Sequence, residues 1–159
     1  MVENNIDYKN IPEGEINLTS EETYKQSNLI LGIIAGIIGA SIGAILWAII
    51  TISTGSQIGF MAIGVGLLVG VLIRKVGKGY SGIYGLIGAV LALGGCIIGN
   101  ILSIYGFVAK EESMSMIQVL SEVNLSMVIS FLIDNINIYD FLFYGLAMYQ
   151  SFKISINSY

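Results

Sequence analysis

The sequence predicts an all-α fold: an integral membrane four-helix bundle, glycine-rich, with an amphipathic surface helix between spans three and four. Three observations lead there. Of 159 residues, 55% are hydrophobic and only 11% charged, against about 25% charged in a soluble domain. So few charges cannot cover a water-facing surface, and lipid must be the solvent for most of the chain. The apolar residues also gather in long runs, the first with 24 uncharged residues over 29–52, where about 20 suffice to cross the hydrocarbon core. Finally, small residues recur at every fourth position inside those runs. That spacing lines them along one helix face and lets a neighbouring backbone come close.

Residues 1–28 read as an acidic polar cytoplasmic tail. Glu3, Asp7, Glu13, Glu15, Glu21 and Glu22 stand against Lys9 and Lys25, and Pro12 and Gly14 break any early helix. A solvated, largely disordered tail is expected, and not a signal peptide, which would begin with basic residues and reach its apolar core quickly.

A transmembrane domain is expected over 29–153. Its first span, 29–52, carries a ladder of Gly32, Gly36, Ala40, Ala44 and Ala48, and a second small-residue face at Ala35, Gly39 and Gly43. Trp47 and Thr51 suit the membrane interface near its end. After the polar break at Ser53, Thr54, Gly55 and Ser56, the second span, 57–73, contains Gly59, Gly64, Gly66 and Gly70. So short a break predicts an antiparallel hairpin. Arg74, Lys75 and Lys78 form the one basic cluster, suited to lipid head groups and to setting topology. The third span, 83–108, carries the close-contact pair Gly95 and Gly99, with Asn100 as a strongly polar group deep inside it. Asn100 either lines a polar pathway or bonds across helices as packing glue. Cys96, one turn earlier, is expected to be a small packing residue.

Over 112–134, Met116, Leu120, Val123, Met127 and Phe131 recur at three or four residues, with Gln118, Ser121, Glu122 and Ser126 on the other side. This predicts an amphipathic helix lying along the membrane or capping the bundle. A tilted span ending at Asp134 is the alternative, against which Glu122 argues. The fourth span, 136–152, is aromatic and begins near Asp140, a carboxylate suited to a helix N-terminus. Residues 154–159 form a short tail.

With four spans, Lys9, Lys25, Arg74, Lys75, Lys78 and Lys153 fall on one side and Lys110 alone on the other. The positive-inside rule then puts both termini in the cytoplasm. The chemistry on offer is sparse. There is no histidine and a single cysteine, so the commonest general base and any internal disulfide are excluded. Gly77-Lys78 is not a phosphate loop, because Leu72 stands where its first glycine must be and Gly79 where its Ser or Thr must be. Tyr139-Asp140 matches a pairing found in intramembrane aspartyl proteases, but no second aspartate lies inside a span. No cluster of ionisable groups marks a coupled transporter. No catalytic residue, cofactor, metal site or nucleic-acid partner is expected.

The segments Trp47 to Thr51, Thr54-Gly55, Ile58 to Gly66, Val69-Gly70 and Gly77-Lys78-Gly79 resemble a group of small bacterial multi-spanning membrane proteins with no known activity. So do Leu93-Gly94-Gly95-Cys96, Gly99-Asn100 and Asp140 to Tyr144. The resemblance covers about two thirds of the chain and implies a bacterial inner (plasma) membrane location. Some of these proteins carry a zinc-ribbon-like segment before the first span, whose Cys pairs are missing here. The expected role is a non-enzymatic membrane subunit or scaffold. It would self-associate or bind another membrane protein through small-residue faces, with membrane lipid around it. Two smooth sides on the first span, more than one neighbour needs, are the reason. The alternative is an oligomeric channel or passive transporter lined by Asn100 and Thr51.

Overall fold

Helices begin and end in this chain where capping chemistry allows. In the computed structural model, which describes residues 27–56, 59–136 and 138–156, six helices and no strand are found. They are α1 (Leu29–Thr54), α2 (Phe60–Gly77), α3 (Gly82–Glu111), α4 (Met116–Glu122), α5 (Leu125–Asn135) and α6 (Ile138–Ser155). The expected tail over 1–28 lies outside the described residues apart from Ser27 and Asn28, as do the first two residues of the expected span 57–73 and residues 157–159. The Asn28 side chain caps α1 by accepting from the Leu31 N–H at 3.1 Å. Gly55 ends the helix in the left-handed region at φ 68°, its N–H bonded to the Thr51 carbonyl. A side chain is strained there, and glycine is not.

Among the described residues α1, α2 and α3 are long and apolar enough to cross a membrane, which supports a membrane protein. The predicted fourth span corresponds to α6, whose 18 residues include Asp140, Gln150 and Lys153 and which is not among those three.

Four helices make the packed body. α2 and α3 touch each other, and α1 and α6 each pack against both without touching one another. The arrangement is a diamond, with α1 and α6 at opposite corners. The glycines set it. Gly32 lies beside Gly77, Gly39 beside Val69 and Gly43 beside Val65, so α1 and α2 form the antiparallel hairpin the short break predicts. On its other small-residue face α1 meets α3, with Ala40 against Gly95 and Ala44 and Trp47 against Gly99. α6 closes on α2 where Gly66 meets Ala147 and Gly70 meets Ile154, and on α3 where Gly85 meets Phe152. Both smooth faces of α1 are therefore covered within the chain. Its outward surface is bulky: Ile30, Ile34, Ile38, Ile42, Ile45 and Ile49 are exposed. Trp47 is only 1% exposed, so it is a core side chain and not the interface anchor its position suggested. Gly99 leaves the room for its indole.

The single amphipathic helix expected over 112–134 is two helices, α4 and α5, which meet at 90° across Val123 and Asn124. One local signal sets the start of α4 and another lies at the break. Ser115 and Gln118 form a reciprocal capping box at the start of α4, and the Asn124 side chain accepts from Ser126 N–H to start α5. The break also splits the expected apolar stripe between two helices. Met116, Leu120, Met127 and Phe131 are exposed, while Val119 and Val128 are buried against Tyr105 of α3. The Tyr105 hydroxyl donates a long, weak bond of 3.4 Å to the Val123 carbonyl, which the break leaves outside the α4 ladder.

Candidate functional site: a polar pocket at one end of the bundle

Polar side chains converge on α3 from α1 on one side and from α6 on the other, beneath α5. Thr51 comes from the last turn of α1, Asn100 and Ser103 from α3, and Asp140 and Tyr144 from α6. With Ile104, Phe107, Phe131, Leu132 and Ile136 they line a cavity of about 100 Å³, room for several waters or one small solute. Helical spacing explains the convergence. Ser103 follows Asn100 by three residues and Tyr144 follows Asp140 by four, so each pair shares a face. Phe131, Leu132 and Ile136 form the outer, apolar side.

The polar groups are held firmly. Asn100 is 4% exposed, and its amide donates to the Tyr144 hydroxyl, tying α3 to α6. Ser103 Oγ donates to the Gly99 carbonyl at 2.8 Å, within its own helix. Thr51 Oγ1 is buried and has no hydrogen-bond partner among the described residues. Buried polar groups in native proteins are almost always bonded to protein or to water, so this hydroxyl calls for a partner from the cavity. Asp140 stands in the first turn of α6, half-buried, where the helix dipole favours a carboxylate.

Polar groups continue along the buried face of α6. Ser151 and Ser155 are fully buried, face Gly88 and have no hydrogen-bond partner for their hydroxyls among the described residues. Between them and the pocket lies an apolar waist of Ala92, Cys96 and Ala147, each 0% exposed.

The two predicted lining residues, Thr51 and Asn100, thus come together, and Asn100 acts both as lining and as a bridge between helices. The packing glycines Gly32, Gly36, Gly39, Gly43, Gly66, Gly70, Gly95 and Gly99 are all buried at helix contacts, and none of them lines this cavity. Arg74, Lys75 and Lys78 are exposed at the other end of the bundle, around the C-terminus of α2. Sequence reasoning missed Ser103 and Tyr144 as lining residues, and took Asp140 as a helix-start carboxylate after setting the protease pairing aside. The three- and four-residue spacings to Asn100 and Asp140 were the available signal. Among the described residues no three Cys, Asp or Glu side chains gather as metal ligands. The chain matches no protein-family model, no curated protein and no solved structure.

Proposed function

We propose that this chain is a four-span membrane protein, both termini cytoplasmic, that takes a small neutral polar solute into its own bundle. In this reading it is a non-enzymatic passive transporter or channel. One observation carries it: Thr51, Asn100, Ser103, Asp140 and Tyr144 from three helices line one cavity. Hydroxyl, amide and phenol groups offer hydrogen bonds to an uncharged solute, and the Asp140 carboxylate repels anions. Ser151 and Ser155 continue the polar face beyond the waist, so in this reading the apolar waist is what closes the path. α6 becomes the fourth span because its polar residues face inward or lie near its ends.

Stopped-flow light scattering on reconstituted vesicles tests this with water, urea and glycerol as probes. Wild-type protein should raise the permeability of at least one probe severalfold over empty vesicles, and Asn100→Leu and Thr51→Val should lower it. Permeability equal to that of empty vesicles for all three would overturn the reading.

Association with a second membrane helix is the other reading. Its earlier support, the two smooth faces of α1, is used inside the chain. What favours it now is that Gly64 of α2, Gly94 of α3 and Gly145 of α6 have open space beside them. Leucine at those positions would then lower the mass of the purified complex without unfolding it.

A further inference from the structure

A second and larger cavity, about 530 Å³, lies between the last turns of α3 and the α4–α5 arm. Its size falls in the range of small-ligand sites. Its lining is apolar, with Phe107, Met127 and Val128 prominent, except for Glu111. Glu111 is the last residue of α3, a helix long and apolar enough to cross a membrane, so the cleft sits where that helix would leave the hydrocarbon. Its apolar walls favour an apolar occupant, and the apolar molecules available to fill a groove at that depth are the chains of the bilayer. The rim charge selects the head group. Glu111, Glu112 and Glu122 are exposed here against Lys110, so this end repels an anionic head and attracts an ammonium.

We propose that the cleft between α3 and α5 holds one chain of an aminophospholipid, with its protonated amine on Glu111. The proposal stands on a different cavity from the solute pocket and does not depend on it. The two share a wall, however: Ile104, Phe107 and Phe131 line both. A chain in the cleft therefore braces α5 from the side away from the polar groups.

Native mass spectrometry of the whole chain in mild detergent tests this, with phosphatidylethanolamine and phosphatidylglycerol of matched chains added in equal amounts. The phosphatidylethanolamine adduct should dominate. Glu111→Gln should cut the ratio of the two adducts about fivefold, and Glu111→Lys further. Glu111 is exposed, so both variants should fold. Val108→Trp, which places an indole in the cleft where the chain would lie, should remove the adduct. Equal adducts on the wild type, or a ratio unmoved by both Glu111 variants, would overturn the proposal. If Val108→Trp fails to fold, the Glu111 pair decides alone. An adduct that survives in a folded Val108→Trp protein would place the lipid elsewhere and also overturn it.

Discussion

The body of α1, α2, α3 and α6 and the arm of α4 and α5 are built by opposite means. In the body, glycine and alanine bring backbones together: the Cβ of an alanine at position 66 would stand 2.9 Å from the Ala147 Cα, and one at position 39 would stand 3.1 Å from the Val69 Cα. Between Lys110 and Tyr144 the chain has neither glycine nor alanine. Its arm is held to α3 by the larger Val119 and Val128. Bulky side chains hold helices apart, and both cavities, about 100 Å³ and about 530 Å³, have arm residues in their walls. Small residues make the body solid, and their absence from the arm leaves room for these two pockets.

Substitutions can break that contrast. The largest effect is expected at Gly66, where the neighbour is backbone and cannot move aside: Gly66→Ala should cost about 1–3 kcal/mol by overpacking, and Gly66→Leu more. Thermal unfolding in detergent measures it. Met127→Ala, on the exposed side of α5, should stay within about 0.5 kcal/mol. Equal losses at the two positions would end the distinction.

Asn100→Leu comes next. It removes the bond to the Tyr144 hydroxyl and leaves that group buried at 8% exposure, a loss of about 1–3 kcal/mol. The double variant with Tyr144→Phe should lose less than the sum of the single losses. Tyr105→Phe removes only the 3.4 Å bond to Val123 and should cost about 0.5–1 kcal/mol. Its mark should be local, as faster amide exchange in α4 and α5 with no change in α1. The one stabilising change is at Lys78, which ends α2 with φ 48°. Lys78→Gly relieves the left-handed strain and should stabilise by up to about 1 kcal/mol, read as a small rise in melting temperature.

Much of the body was legible because its signals are local. Apolar run length located α1, α2 and α3, and the spacing of Gly32, Gly36, Gly39 and Gly43 marked the faces that touch. What the spacing could not tell was whether those faces meet helices of the same chain or of another, because a smooth face looks the same in either case. The arm was misread for a different reason. Residues from Met116 to Phe131 keep a helical period across Val123 and Asn124, and the period hid the Asn124 cap that starts a new helix there. Of the pocket, Thr51 and Asn100 were visible as polar residues in apolar runs. Tyr144 was hidden among aromatic neighbours, and its partnership with Asn100 crosses 44 residues of sequence.

The central claim is that the polar pocket is an aqueous site and not a packing void. Ser103 tests it most directly: it is 3% exposed, lines the cavity, and bonds only within its own helix. In a Cys96→Ala background, Ser103→Cys should react with a small membrane-impermeant thiol reagent applied to one face of sealed vesicles, the face opposite the Arg74 cluster. Bulky Leu at Asn100 should slow that reaction. A cysteine at 103 that stays unmodified from both faces, in a protein that remains folded, would contradict the account.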